Sequence, residues 1–315
     1  MKHLNRLNVH LYVTPICNLH CKHCYYDAWP LDQRPNKLLT IEEMVFIIRT
    51  LSNNFDAAFD IEGGEFFLRD DINELFAQLP QQYLKNITIT TNGTLAKNIL
   101  SRDIKYLDEF RISVEGHSDE LQRDIRGISL HPVLNTGLGL ISENVSVTLR
   151  ITLHKKNFSA LIDMLEYFTS LGFKNFSFYE FQSSGRGHSC EREYGLDQSE
   201  IEKVLQLLVE NEPLSEINIL KLNFNATRED LVRKYQVLLE DRNYLLLDIS
   251  GIPSLTINYD GDLGVCPWNI GHDHVGKFQK ASFLDDVNRY FDKGILSHEC
   301  AHCSAIRVLL NNKLG

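Results

Sequence analysis

The feature that most constrains this chain is Cys17-Asn18-Leu19-His20-Cys21-Lys22-His23-Cys24, three cysteines in a CxxxCxxC spacing. It follows an apolar, β-prone run, Val9-His10-Leu11-Tyr12-Val13, and a turn containing Pro15. Three thiolates this close on one loop can hold three irons of a cubane cluster. Iron–sulfur clusters normally take four cysteine ligands, so the loop would leave one iron open to a ligand that can react. Zinc fits the loop less well, because structural zinc sites close a tetrahedral shell from paired ligands and this spacing supplies no pair of pairs. A disulfide fits worse still, since neighbouring cysteines on one short loop rarely meet the bond's geometry without strain.

The rest of the cysteine inventory points the same way. The seven cysteines are Cys17, Cys21, Cys24, Cys190, Cys266, Cys300 and Cys303. An odd number, six of them in motif-like positions, reads as metal ligation rather than as a disulfide framework. A chain of 315 residues can bury a large core, as one α/β domain or one domain with an extension. The formal net charge of −10 comes with no basic block, which argues against a nucleic-acid partner. No apolar run is long enough to span a bilayer, and Met1-Lys2-His3-Leu4-Asn5 does not open a signal peptide. The expectation is a cytoplasmic protein with no membrane partner.

From Val9 to about Gln182, short β-branched runs alternate with amphipathic stretches. Strands are expected at Val9–Val13, Ala57–Ile61, Ile87–Thr90, Arg111–Val114, Ser146–Ile151 and Phe176–Tyr179. Thr40-Ile41-Glu42-Glu43 reads as a capping box that opens a helix through Met44, Ile48 and Leu51. Further helices are expected near Ile72–Leu79, Ala96–Leu107 and Leu161–Leu171, the last ending at Gly172. Regular βα alternation implies a parallel sheet with helices outside, whose chemistry sits at the C-terminal strand ends. The cysteine loop, Gly63-Gly64-Glu65, Thr91-Asn92-Gly93 and Ser113-Val114-Glu115 all lie at such ends, and that co-location argues for one active site. Two more helices are expected after the sixth strand, around Ile201–Leu208 and Leu231–Leu239. A hairpin then turns at Asp260-Gly261.

These residues resemble the radical S-adenosylmethionine (SAM) superfamily. By that resemblance Cys17, Cys21 and Cys24 bind a 4Fe–4S cluster whose fourth iron chelates SAM. Reductive cleavage of SAM then yields a 5′-deoxyadenosyl radical that abstracts hydrogen from a substrate. The resemblance assigns Gly63, Gly64 and Glu65 to the SAM amino group, Ser113 and Glu115 to the ribose, and Arg150 to the carboxylate. Asn92 joins them as a cofactor-binding candidate. Gln182-Ser183-Ser184-Gly185-Arg186-Gly187 resembles the family's Gly-Arg element near the adenine. His23 departs from the pattern, which usually has an aromatic residue just before the third cysteine. Each assignment has a plainer competitor: a tight βα turn for the glycines, a helix cap for Ser113 and Glu115, an outward ion pair for Arg150, a mobile loop for the glycine–arginine run.

The C-terminal part resembles the auxiliary-cluster extensions called SPASM and twitch domains. Asp260–Pro267 matches their hairpin and cysteine, and Cys300-Ala301-His302-Cys303 matches their CxxC. The usual cysteine before the hairpin is missing: Asp248 stands there, with Gly251 retained. An auxiliary iron–sulfur cluster would take Cys266, Cys300 and Cys303, with Asp248, Cys190, substrate or solvent as the fourth ligand. A zinc shell that includes His302 or Asp248 competes with it. Cys190 stands in a Gly/Ser/His loop and reads as an inert thiol, a fourth ligand, or a hydrogen-atom donor. The remaining histidines, His154 among them, read as structural or solvent-facing.

The resemblance implies a partial (β/α)6 TIM-like barrel over residues 1–195, a helical connection over 196–245 and a twitch-like auxiliary-cluster extension over 246–315. It points to modification of a ribosomally made peptide by cross-linking, oxidation or epimerisation, with a precursor peptide as partner. The electron donor would be a flavodoxin or ferredoxin. Only a short segment precedes Cys17, so a leader peptide would be read by the barrel, the extension or a separate recognition protein. A radical SAM dehydrogenase of a small-molecule alcohol is the second reading, and a non-enzymatic iron–sulfur or zinc sensor the third.

Overall fold

The computed structural model describes residues 6–95, 102–212, 214–249, 252–267, 274–297 and 304–312. Seven strands run parallel in chain order: β1 (Arg6–Tyr12), β2 (Asp56–Glu62), β3 (Ile87–Thr91), β4 (Glu109–Val114), β5 (Val147–Leu153), β6 (Asn175–Glu180) and β7 (Ile219–Asn225). Five shorter or later strands follow: β8 (Leu245–Asp248), β9 (Ser254–Ile257), β10 (Asp262–Gly264), β11 (His274–Lys277) and β12 (Ser304–Asn311). The strand order is β11-β10-β9-β1-β2-β3-β4-β5-β6-β7-β12-β8, and the sheet is not closed. The partial barrel expected from the sequence is present.

Apolar and polar residues largely alternate along the parallel strands. Leu7, Val9 and Leu11, Phe59 and Ile61, Ile87 and Ile89, and Leu149 and Ile151 are buried and join one core with helix residues such as Met44, Ile48 and Leu51. The intervening positions, Asp60, Thr88, Arg111, Thr148, Arg150, Ser177 and Lys221, are polar. Parallel sheets covered on both faces usually read as continuous apolar runs. Here one face packs on helices and the other lines a polar interior, so the period-2 pattern survives.

Local signals hold where chemistry is local. Thr40 and Glu43 make both hydrogen bonds of the capping box on helix Ile41–Asn54. Gly172 follows helix Leu161–Ser170 at φ +104°, and Gly261 turns the β9–β10 hairpin at φ +91°. The helix expected over Ala96–Leu107 is a 3-10 turn at Arg102–Tyr106, and residues 96–101 lie outside the described residues. The 196–245 connection is more than helical. Helices Gln198–Glu210, Glu229–Lys234 and Gln236–Glu240 flank β7, whose Ile-Leu-Lys-Leu-Asn-Phe-Asn alternates like the barrel strands. The chain after β7 also does not stand apart: β9 extends the sheet beside β1, while β12 and β8 extend it beside β7. Both edges of the barrel sheet are therefore occupied by strands from the C-terminal part.

Candidate active site

A cleft opens at the C-terminal ends of the parallel strands, where such sheets place their sites, with about 900 Å³ of space counting the part open to solvent. Cys17, Cys21 and Cys24 all border it, together with Gly63, Gly64, Asn92, Ser113 and Arg150. The motifs that lie far apart in sequence thus share one cleft.

The cysteine loop is held by its backbone. Trp29 N–H donates to Pro15 O at 2.7 Å and Cys17 N–H to Trp29 O at 2.9 Å, closing the loop at its base. The Gly-Gly-Glu turn then locks to it: Gly64 N–H donates to Thr14 O at 2.7 Å and Glu65 N–H to Ile16 O at 2.8 Å. A Cβ at Gly64 would meet Ile16 O at 2.1 Å, so these two segments approach only because glycine is there. On the other side a Cβ at Gly185 would meet Tyr25 O at 2.4 Å, and Arg186 N–H donates to Cys24 O at 3.0 Å. The Arg186 guanidinium adds donors to Cys21 O at 3.1 Å, Ala28 O at 2.8 Å and Asp27 Oδ1 at 2.9 Å. Arg186, expected near the adenine, is a brace on the cysteine loop that also borders the cleft.

The sulfurs have donors of their own. Leu19 N–H points at Cys17 Sγ from 3.4 Å, Asn92 Nδ2 from 3.8 Å, and Arg126 Nη1 lies 4.0 Å from Cys21 Sγ. Burial pushes the Cys17 thiol up to about 12 and the Cys21 thiol up to about 11. Those two thiols are protonated when free, and a metal deprotonates its sulfur ligands. Three soft donors on one loop, with N–H donors and a guanidinium facing the sulfurs, fit a thiolate-bound iron–sulfur cluster.

The two carboxylates expected at SAM, Glu65 and Glu115, accept hydrogen bonds from within the protein. Glu65 is 1% exposed, and its oxygens accept from Thr91 Oγ1 at 2.6 Å, Asn92 N at 2.8 Å and Phe67 N at 3.3 Å. Burial raises its carboxyl, and only these neutral donors oppose the rise. Glu115 is fully buried beneath the cleft and accepts from His23 Nε2 at 2.7 Å, Arg126 Nε at 2.5 Å and His154 Nε2 at 3.3 Å. Burial alone would raise its carboxyl, but Arg126 and His23 hold it well below the usual range. Glu65 and Glu115 hold the walls, while Gly63, Gly64, His23 and Arg126 present the surface. Arg150 borders the cleft. Its Nη1 lies 3.5 Å from Glu62 Oε2, and its guanidinium lies 4.6 Å from the Tyr179 ring centre. Ser113 borders the cleft, and Asn92 binds Asn18 Oδ1 at 2.9 Å through Nδ2.

Glu62 was not singled out by sequence reasoning, yet it borders the cleft. It accepts from Tyr25 Oη at 2.6 Å and contacts His10 Nδ1 at 3.1 Å. Burial would raise its carboxyl, but His10, Arg150 and Tyr25 together bring it down to about 2. Its signal was available, because Glu62 ends β2 in phase with inward Asp60, directly before Gly63. Arg126 had no local signal at all, lying 105 residues from Cys21.

Cys190 is not among the residues that border the cleft. Its thiol faces Gly187 O at 3.3 Å and Lys22 O at 3.6 Å, beside the cysteine loop. Cys266 is buried next to Pro267, whose carbonyl accepts from Tyr12 Oη at 3.2 Å. Asp248 pairs with Ile306 across β8 and β12, and Arg233 Nη2 lies 3.2 Å from its carboxylate. Cys300 and Cys303 lie outside the described residues.

Residues 11–174 match the radical SAM superfamily, and the chain belongs to it. Membership implies a 4Fe–4S cluster and SAM, and the Cys17, Cys21 and Cys24 thiols with the cleft beside them are the residues that fit them. Among curated proteins, the chain is 25% identical over 198 residues to a "Probable GTP 3′,8-cyclase" of Saccharolobus islandicus, covering 62% of this chain and 63% of that protein. It is 27% identical over 185 residues to the antilisterial bacteriocin subtilosin biosynthesis protein AlbA of Bacillus subtilis, covering 56% of this chain and 39% of AlbA. The chain therefore spans less than two thirds of the length of these relatives. Among solved structures, SuiB of Streptococcus suis bound to precursor peptide SuiA superposes with a TM-score of 0.67 at 15% identity. That match covers 96% of this chain and 70% of SuiB, which shows a shared fold. Among the described residues, no helix is long and apolar enough to cross a membrane.

Proposed function

We propose that this enzyme modifies a ribosomally made precursor peptide by hydrogen abstraction, forming a cross-link, an oxidised residue or an epimer. The observation that carries this reading is the extent of the likeness to peptide-bound SuiB. It covers 96% of the chain. AlbA, a bacteriocin biosynthesis protein, adds support from sequence.

When bound, the reduced cluster and SAM supply a 5′-deoxyadenosyl radical. The chain's own residues do the rest. Cys17, Cys21 and Cys24 would fix the cluster at one wall, and Gly63 and Gly64 let the turn after β2 close against the cysteine loop at the cleft. Glu115 holds His23 and Arg126 at the cleft surface, while Tyr25, Tyr179 and Arg150 form the floor on which substrate rests. Positioning of one C–H bond and exclusion of water are the protein's share of such chemistry. Cys266, Cys300 and Cys303 would hold an auxiliary iron–sulfur cluster, with Asp248 as a candidate fourth ligand. A flavodoxin or ferredoxin would deliver the electron, and a separate protein could recognise a leader. Cys190, outside the cleft, fits a structural thiol better than a hydrogen donor.

A small-molecule substrate is the second reading, favoured by the cyclase relatives. The two separate by co-expressing the enzyme with each short open reading frame beside its gene and weighing the products. A mass change in one peptide, lost with Cys17→Ala, supports the peptide reading. Unmodified peptides throughout, with a nucleotide or alcohol consumed instead, would overturn it.

A further inference from the structure

The polar face of the barrel sheet carries several cations, and nearly all of them meet a carboxylate. Arg111 pairs with Asp60 and Glu109 at 2.6 Å each, and Lys221 lies 3.7 Å from Glu109. Arg126 pairs with Glu115, Arg150 with Glu62, and Arg228 with Glu180.

Arg307 is different. It sits on β12, between β7 and β8, opposite Asn223 and Leu247. Asn223 is in turn opposite Tyr179, and Tyr179 opposite Thr152. Residues in one row across a sheet share a face, and both Thr152 and Tyr179 border the cleft. Arg307 therefore lies on the same face of the sheet as the cleft, two strands beyond Tyr179, and neither it nor Asn223 is among the residues that border the cleft. Its neighbours Ile306, Val308 and Leu310 face the buried core instead. Among the described residues, the one hydrogen bond of its guanidinium is Nε to Asn223 Oδ1 at 2.8 Å, a neutral acceptor, and no carboxylate lies within ion-pair distance. A guanidinium carries five N–H donors in a planar fork suited to carboxylate or phosphate oxygens. Arg307 is half-buried, and a cation partly withdrawn from water with only a neutral partner is costly. Burial accordingly lowers Arg307 from the usual arginine range, the Arg111 charge adding to the effect while Tyr179, Asp60 and Glu109 act against it.

We propose that Arg307 anchors an anionic group of a substrate that extends past the cleft along this face of the sheet, and that in the peptide reading above, on which this assignment rests, the group is an acidic side chain or terminal carboxylate. Arg307 would then set which residue of the peptide reaches the cluster wall, because it fixes the substrate at one point. The same fork would accept phosphate oxygens if the substrate were a nucleotide.

The test uses the anaerobically reconstituted chain with SAM to select binders from a randomised short-peptide library, and titrates pyrophosphate separately by calorimetry. Wild type is expected to enrich Asp, Glu or a free C-terminus at one position about tenfold, the scale of one charge-assisted contact. Arg307→Gln should abolish that preference, Arg307→Lys should retain it in weaker form, and Arg307→Glu should favour Lys or Arg. Circular dichroism melting checks each variant, and Arg307→Met replaces Arg307→Gln if the amide variant does not fold. Peptides selected without acidic preference, or a preference unchanged by the neutral variant, would overturn the assignment. Should no peptide be enriched while pyrophosphate binds wild type and binds the neutral variant at least tenfold more weakly, the anion site stands and the peptide reading falls. Binding of neither probe would overturn the anchor itself.

Discussion

Glu115 and Glu62 end neighbouring regions of one sheet, both face an arginine and a histidine, and both have carboxyls held below the usual range, yet only Glu62 borders the cleft. Glu115 on the β4 side is fully buried and serves His23, Arg126 and His154, two of which then form the cleft surface. Glu62 on the β2 side is itself the surface, with Tyr25 and Arg150 beside it. The same set of charges is scaffold in one place and wall in the other. Depth decides between them, since an unpaired charge with no route to water costs far more than one that water can reach.

That difference predicts unequal losses. Glu115→Ala strands a buried guanidinium and should cost about 3–5 kcal/mol in urea denaturation. Glu62→Ala should cost less, about 1–3 kcal/mol, because Arg150 keeps its contact with the Tyr179 ring and Tyr25 borders the cleft, which admits water. Equal losses would break the distinction between scaffold and wall.

Acid titration sharpens it. Glu115, Glu62 and Glu109 all have folded carboxyls below the ordinary 4.5, at about 2 for Glu62 and Glu109. Their stabilisation is fully present above pH 4.5 and should be lost as pH falls toward 2. Glu65 is raised, so its sign is opposite: its contribution is full below the ordinary value and falls as pH rises through its own. Thermal melts should therefore show a shallower acid slope in Glu115→Gln and no such change in Glu65→Gln. A smaller effect is expected at the loop brace. Arg186→Ala removes donors from the Cys21 and Ala28 carbonyls and should cost about 1–2 kcal/mol, with faster iron loss to a chelator than wild type. Cys190→Ala, whose thiol makes only weak contacts outside the cleft, should change stability by under about 1 kcal/mol and leave SAM cleavage unchanged.

These regions also differ in how far the sequence disclosed them. The cysteine loop, the Gly-Gly turn and the strand-end motifs are contiguous, and each needs only local chemistry to be read, so the partial barrel and one wall of the cleft were legible. The chain's resemblance to its superfamily placed Glu65 and Glu115 at the cofactor. Their partners within the protein, Thr91 and Asn92 for one and Arg126 and His154 for the other, come from other strands and loops that only folding brings together. Strand β7 was passed over because Lys221 and Asn223 interrupt its apolar run, although that interruption is the signature of an inward polar face. The placement of β9 against β1 and β12 against β7 had no sequence signal, since strand pairing across most of a chain is set by the whole sheet.

The central claim is that the Cys17 loop holds the cluster that cleaves SAM. Its most direct test is anaerobic reconstitution with iron and sulfide, reduction with dithionite, and quantification of 5′-deoxyadenosine after addition of SAM. Wild type should produce 5′-deoxyadenosine, and Cys17→Ala, Cys21→Ala and Cys24→Ala should each produce none. Continued production in all three variants, or none from wild type that carries its full complement of iron, would contradict the account.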